Sequence, residues 1–284
     1  AMLDEIKALC QSKQSSKSAI ALFLIEHLES IEQLSLEEIA QQSFTSKASL
    51  VRFAQALGFK GWTDFLPALI AERYYAQTHY SGLDHSLPFS DEDDLATIVQ
   101  KIATIEKESI QDTADKLDPA DLERAAGWLQ EAERVVIFGL TPNEYLAHLF
   151  KRKMLSIGKS VQVAQAGEFG LTAASLDEDD LAIIISYSGN SSSMESLRYI
   201  PLLKKRKVRI LGLTSENGHL LREASDTTLT ICTREDRYKK IGNFSTEESI
   251  NFLLNSLYAA YFKKDYFANY VRKINLAASL EENR

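Results

Sequence analysis

The sequence contains few of the residues that build disulfide-bonded, metal-binding or membrane-spanning structures. Its two cysteines, Cys10 and Cys232, lie far apart in the chain, which favours free thiols in a reducing cytoplasm. The five histidines are scattered without the spacing of metal ligands. No apolar run approaches the roughly 20 residues of a membrane-spanning helix, and the start of the chain lacks a signal-peptide core. We therefore expect a cytoplasmic globular protein with no membrane segment, no metal and no other cofactor.

The chain also lacks an excess of positive charge. It has 40 acidic and 32 basic residues among 284, a net charge of −8. This balance argues against broad polyanion binding but permits a local basic face on one small domain. The length allows one large or two ordinary domains.

Residues 1–77 have a helical pattern throughout. Ser35 and Glu38 have the spacing of a capping box at the start of one short helix. A second helix is predicted from Lys47 to Leu57, with Ser46 as its cap and Gly58 at its end. Two short helices joined by a tight turn are typical of a helix-turn-helix.

The second of these helices has the features of a DNA-recognition helix. Leu50, Phe53 and Leu57 share one face, which leaves Lys47, Ser49 and Arg52 outward at the end that enters a major groove. The alternative is a small helical bundle with a few solvated basic residues.

Residues 78–90 lose this periodicity and gather glycine, proline and serine, so they are predicted to be a linker. Residues 91–284 then form a second domain, in which a long helix, 91–117, and a helix from Pro119 precede alternating strands and helices. Repeated strand–helix units predict a parallel sheet covered by helices, with any ligand at the carboxyl ends of the strands. The predicted strands are Arg134–Phe138, Val161–Ala164, Leu181–Ser186, Val208–Leu213 and Thr228–Cys232.

A serine-rich loop follows the most apolar of these strands. Ser186 to Ser192 contain four serines and a glycine, and a helix is predicted over 192–206, with a kink in its last turns at Pro201. Hydroxyls and backbone N–H groups at such a helix start bind anions. The alternative is an ordinary serine-capped turn. Near the end of the chain, the apolar stripe Ile250–Tyr261 is wide enough to cover the sheet and to meet a partner subunit.

The N-terminal residues resemble the helix-turn-helix domain of RpiR-type bacterial transcription regulators. The resemblance implies an operator DNA partner and DNA contacts from Ser46, Lys47, Ser49, Arg52 and Lys60. Phe44 departs from the family, many of whose members have glycine or another residue at this turn. The matching residues are Ser46, Ala48, Ser49, Arg52, Phe53, Leu57, Gly58, Phe59, Gly61 and Trp62.

The second half resembles a sugar isomerase (SIS) domain, the domain that follows the helix-turn-helix in that family. The motif is Ser186-Tyr187-Ser188-Gly189-Asn190-Ser191, against the family's Ser-x-Ser-Gly-x-(Thr/Ser). The resemblance implies that Ser186, Ser188, Gly189, Asn190 and Ser191 hold the phosphate of a sugar-phosphate effector. The neighbouring loop, Gly139-Leu140-Thr141-Pro142-Asn143, departs from the family's Gly-x-Gly-x-Ser, but Thr141 and Asn143 still offer donors.

The sequence therefore predicts a two-domain regulator of sugar metabolism genes that has no catalytic residues. Since one helix-turn-helix covers few base pairs, a homodimer or higher oligomer on a pseudo-palindromic operator is expected. The alternative is a sugar-phosphate isomerase with an accessory helical domain. Its carboxylate base would be Glu168, Glu247 or Glu248, although no sequence feature pairs one of them with a histidine.

Overall fold

The computed structural model describes residues 2–10, 15–79 and 81–281 and divides into two compact units, Ala1–Gly82 and Leu83–Arg284. The predicted linker, 78–90, is not a free connection. The last helix of the first unit continues through His79. From Leu83 onward the chain belongs to the second unit, where His85 and Ser86 are buried.

The first unit is entirely helical in its described residues. Its core includes Leu24, Ile39, Leu50, Phe53 and Phe65, all almost fully buried. The helices are α1 (Met2–Cys10), α2 (Ser16–Glu26), α3 (Leu36–Gln42), α4 (Lys47–Ala56) and α5 (Trp62–His79), with a single 3-10 turn at Ile31–Gln33.

Local hydrogen bonds fix the starts of the two short helices. At α3, Ser35 and Glu38 exchange side-chain and backbone hydrogen bonds, which confirms the predicted capping box. At α4, the Ser46 hydroxyl accepts from the Ser49 N–H at 3.1 Å. Gly58, after α4, has a φ of +89°, the left-handed conformation expected at a helix end.

The second unit is a five-stranded parallel sheet with helices on both faces. The strand order is β2-β1-β3-β4-β5, so β3, the most apolar strand, is central. Its register places Gly139, Ile185 and Leu213 side by side at the carboxyl ends of β1, β3 and β4. The strands are β1 (Val135–Gly139), β2 (Gln162–Val163), β3 (Leu181–Ile185), β4 (Arg209–Thr214) and β5 (Thr227–Thr230).

Two buried clusters lie on the opposite faces of this sheet, because side chains alternate along each strand. Ile183 and Ile185 face one cluster, and Ala182 and Ile184 face the other. The helices are α6 (Leu95–Lys116), α7 (Pro119–Glu131), α8 (Asn143–Leu155), α9 (Phe169–Ser175), α10 (Glu195–Arg198), α11 (Ile200–Lys205), α12 (His219–Ala224), α13 (Phe244–Lys264) and α14 (Tyr266–Glu281).

Two sequence predictions in this unit agree with the structure only in part. The single helix over 192–206 is instead α10 and α11, separated at Tyr199. Pro201 has no N–H and its ring crowds the carbonyl four residues earlier, so the two helices do not merge. The apolar stripe Ile250–Tyr261 of α13 packs within its own unit, where Ile250 and Leu257 are fully buried and Tyr258 and Tyr261 are half-buried. The aliphatic part of the stripe therefore covers the sheet, as predicted, and within the stripe Tyr258 and Tyr261 keep part of their surface exposed.

Candidate functional sites

The predicted recognition helix, α4, has its polar residues at the N-terminal end and outside. Ser46, Lys47 and Arg52 are exposed, whereas Ser49 is half-buried. The Ser49 hydroxyl lies 2.9 Å from the Ser46 hydroxyl and accepts from Arg52 Nη2 at 3.2 Å. Ser49 thus holds the guanidinium close to the start of the helix.

Lys47 is less free than the sequence indicates, because its ammonium group pairs with Glu37 on α3. The hydrogen bond and the charge of Lys47 hold the pKa of Glu37 below its usual value. Both side chains are more than half exposed. Such a pair contributes little to stability, so an incoming phosphate can displace Glu37 at small cost.

The stretch of chain that contains α4 carries positive charges only. Between Ile39 and Thr63 there is no acidic residue, although the whole chain has a net charge of −8. The three basic residues in this stretch are Lys47, Arg52 and Lys60, and all are exposed. Among the described residues, no carboxylate forms an ion pair with Arg52 or Lys60. Apart from the Glu37 carboxylate that pairs with Lys47, this stretch is therefore locally cationic, which favours contact with a polyanion.

The hydroxyls of the serine-rich loop after β3 differ in exposure and in hydrogen bonding. Ser186 is buried, and its hydroxyl accepts from the Gly189 N–H at 3.3 Å. Ser188 and Ser191 are half-buried; the Ser188 hydroxyl lies 3.6 Å from the Met194 sulfur and that of Ser191 lies 2.6 Å from the Ser193 hydroxyl. Ser186 therefore shapes the loop, while Ser188 and Ser191 keep hydroxyls near its surface.

Several backbone donors of this loop have no protein acceptor. The N–H groups of Asn190 to Ser193 make no hydrogen bond with any described residue. The Asn190 side chain is occupied, since its amide donates to the Asn217 carbonyl at 2.6 Å. Free amide N–H groups beside serine hydroxyls form a concavity suited to an anion.

Gly189 lies against the loop that follows β4, a contact that sequence reasoning missed. Its φ is +58°, and a β-carbon there would lie 2.3 Å from Thr214 Oγ1 and 2.8 Å from Gly218 Cα. The Gly189 carbonyl accepts from the Leu221 N–H at 2.9 Å, and Thr214 Oγ1 donates to the Tyr187 carbonyl at 3.1 Å. Only glycine permits this approach of two loops.

The loop after β1 approaches the same edge of the sheet. Asn143 opens α8, and its amide donates to the Ile185 carbonyl at the end of β3 over 3.5 Å. Thr141 is exposed, and Pro142 contributes no N–H. The structure thus brings the Asn143 amide into contact with the end of β3. Thr141 lies exposed at the rim of this edge, the outer side of the loop after β1.

A buried ionic network in the second unit has no counterpart in the sequence analysis. The His85 ring lies 2.8 Å from Glu108 Oε2 and 2.5 Å from the Ser245 hydroxyl. Arg234, which follows β5, donates to Glu108 at 2.6 Å and to both oxygens of Asp112 at 2.8 Å. These residues tie α6 and the start of α13 together from positions far apart in the chain, so no local pattern reveals them.

Among the described residues there is no metal site, and none of the candidate catalytic bases pairs with a histidine. No group of three or more histidine, cysteine, aspartate or glutamate side chains is arranged to hold a metal ion. The candidate bases Glu168, Glu247 and Glu248 form no ion pair with a histidine in the described ranges. Cys232 is half-buried, and the desolvation of its thiol raises its pKa to about 12, which disfavours a thiolate nucleophile. None of the described helices is long and apolar enough to cross a membrane.

Comparison with known proteins assigns both units. Residues 1–77 match the helix-turn-helix domain of the rpiR family, and residues 128–260 match the SIS domain. The chain belongs to the RpiR family of transcriptional regulators. The two resemblances drawn from the α4 and Ser186–Ser191 motifs are thereby confirmed, as is the order of the helical and α/β parts.

Similar proteins match either most of this chain or about two thirds of it. An HTH-type transcriptional regulator of Haemophilus influenzae is 28% identical over 259 residues, which cover 91% of this chain and 88% of the relative. NanR of Vibrio vulnificus, solved in complex with ManNAc-6P, superimposes with a TM-score of 0.60 at 20% identity, covering 100% and 99% of the two chains. The sugar isomerase domain of an RpiR transcription factor from Sphaerobacter thermophilus gives a TM-score of 0.55 at 18% identity and covers 65% of this chain and 98% of that one.

Proposed function

We propose that this RpiR-family regulator works in the cytoplasm and binds operator DNA through α4, with Arg52 in contact with a base and Ser46, Lys47, Ser49 and Lys60 in contact with the backbone. The observation that carries this assignment is the exposed cluster of Lys47, Arg52 and Lys60 in a stretch, Ile39 to Thr63, that contains no acidic residue. Phosphate neutralisation by lysine and arginine supplies much of protein–DNA affinity, and a bidentate arginine supplies discrimination between bases. Ser49 positions the Arg52 guanidinium for this contact.

Replacement of Arg52 by alanine is expected to weaken operator binding by about 1–3 kcal/mol, the range for a lost base contact. The operator is first selected from a random DNA library with the parent protein, and affinities are then compared by mobility shift at fixed salt. Lys205→Ala, which removes an exposed charge from the second unit, serves as the control and should bind like the parent. Equal affinity of Arg52→Ala and the parent would remove Arg52 from the DNA contact.

A sugar phosphate is the effector that the Ser186–Ser193 loop fits best, and we propose that it controls DNA binding. The phosphate would accept from the Ser188 and Ser191 hydroxyls and from the free N–H groups of Asn190 to Ser193. Thr141 lies at the rim, where it can contact the sugar, while Ser186, Gly189 and Asn143 support the loop. NanR, a structural neighbour, was solved with ManNAc-6P. In the mobility-shift assay, one member of a sugar-phosphate panel should change operator affinity, whereas the unphosphorylated sugar should not.

The isomerase alternative is less well supported. Isomerisation of a sugar phosphate requires a carboxylate or similar base to move a proton between carbons. Among the described residues, none of Glu168, Glu247 and Glu248 pairs with a histidine, and the H. influenzae relative is a transcriptional regulator. We propose a regulator without catalytic residues, and turnover of any panel member would contradict this.

A homodimer remains our proposal, with a different surface from the α13 stripe. On α14, Phe267, Tyr270 and Ile274 form an exposed apolar stripe at helical spacing. A stripe of this kind marks an interaction surface, and a two-fold dimer would place two α4 helices on a pseudo-palindromic operator.

The parent chain is therefore expected to have the mass of a dimer or larger oligomer in light scattering at micromolar concentration. The double variant Phe267→Asp, Ile274→Asp is expected to have a smaller mass. Ser279→Asp adds one aspartate on the far side of α14 and should leave the mass unchanged. A monomeric parent, or a double variant with the parent's mass, would contradict this surface.

A further inference from the structure

Phe44 combines an unfavourable backbone with an unused side chain. It lies in the turn between α3 and α4 with a φ of +55°, a conformation that costs a residue with a β-carbon roughly 1–2 kcal/mol. Its side chain is 97% exposed, so it contributes nothing to the core of the first unit. Glycine would fit the same turn without this cost. Phe44 therefore destabilises the fold through its backbone, and its side chain gives no compensating contact within the folded chain. This combination indicates a role in contact with another molecule.

The position of Phe44 in the chain indicates which molecule it contacts. It precedes the α4 cap, Ser46, by two residues, and the turn is held by the Thr45 N–H, which donates to the Ala40 carbonyl at 2.9 Å. The phenyl ring thus projects from an ordered turn at the end of α4 that enters the major groove. The stretch from Ile39 to Thr63, in which Phe44 lies, has three exposed basic residues and no acidic one, which favours close approach of DNA.

We propose that Phe44 contacts the C5-methyl group of a thymine in the operator and specifies that base. This inference rests on the proposed DNA binding through α4. A phenyl ring cannot donate or accept a conventional hydrogen bond, and the thymine methyl is the apolar group that the major groove offers. A left-handed backbone in a hydrogen-bonded turn fixes the direction of the ring. The strain is retained because it aims an apolar group at the groove.

The test uses the full chain and the operator selected with the parent protein. Phe44→Ala removes the ring and keeps the left-handed β-carbon, whereas Phe44→Gly removes both. Both variants should bind the operator roughly tenfold more weakly, and a library selected with Phe44→Ala should lose the thymine preference at one position per half-site. Phe44→Gly should melt at or above the temperature of the parent, and Phe44→Ala should melt like the parent.

Replacement of that thymine by deoxyuridine removes only the methyl group. The parent should bind the deoxyuridine operator about fourfold more weakly, the factor for one buried methyl group, and Phe44→Ala should bind both operators equally. Parent-like affinity of Phe44→Ala, or parent binding that ignores deoxyuridine, would overturn the contact. Failure of the parent to select any DNA would instead refute the proposed DNA binding through α4. The proposed contact between Phe44 and thymine would then be refuted as well.

Discussion

Replacement of Gly189 by valine is expected to lower the free energy of unfolding by about 2–5 kcal/mol and to abolish sugar-phosphate binding. A β-carbon at Gly189 would lie 2.3 Å from Thr214 Oγ1 and 2.8 Å from the Gly218 backbone, at a φ of +58°. The loop after β3 and the loop after β4 must then separate. Because the Leu221 N–H donates to the Gly189 carbonyl, the start of α12 would move with them.

Gly167 provides the matched control. Its φ is +87°, but a β-carbon there would meet no atom within 4 Å. Gly167→Val should therefore lower the free energy of unfolding only by the cost of its left-handed backbone, about 1–2 kcal/mol. It should keep its affinity for the sugar phosphate. Urea denaturation followed by circular dichroism measures the stabilities. Equal losses in the two variants would show that the contact between the two loops is not close.

Serine variants separate ligand contact from loop structure. Ser188→Ala and Ser191→Ala each remove a half-buried hydroxyl. Each should weaken sugar-phosphate binding by about 1–2 kcal/mol with little change in the free energy of unfolding. Ser186→Ala removes the acceptor of the Gly189 N–H and should lower stability as well. If Ser188→Ala and Ser191→Ala bind a confirmed sugar phosphate like the parent, the anion site lies elsewhere.

The elements that sequence could predict are those encoded by neighbouring residues. The Ser46 cap and Gly58 bound α4 because both act within a turn of the helix. The apolar run Leu181–Ile185 predicts a central strand because both faces of β3 are buried. The order of helical and α/β parts follows from the same local patterns.

What the sequence could not provide depends on contacts across long separations. Ser186 is indistinguishable from Ser188 in the motif, yet only the fold buries the Ser186 hydroxyl against Gly189. The Asn190 amide is taken up by the Asn217 carbonyl, which lies in another loop. The stripe on α13 predicts a buried face but not whether its own sheet or a partner covers it.

Arg234→Met is expected to destabilise the second unit by about 3–5 kcal/mol, the usual cost of removing one member of a buried ion network. Arg234 is 16% exposed, and its carboxylate partners Glu108 and Asp112 are 8% and 13% exposed. Methionine fills much of the same volume but leaves the two carboxylates without their guanidinium. Since His85 and Ser245 share the network, α6 and the start of α13 should loosen together.

An exposed pair gives the control for this variant. Arg124 pairs with Asp121 at 2.5 Å, but both side chains are at least a third exposed, so Arg124→Met should cost less than about 1 kcal/mol. If the penalty of Arg234→Met comes from buried charge, Asp112→Asn in the same chain should restore part of the stability, because it removes one of the two carboxylates. A double variant that is as unstable as the sum of its single variants would mean that Arg234 acts through packing rather than through charge.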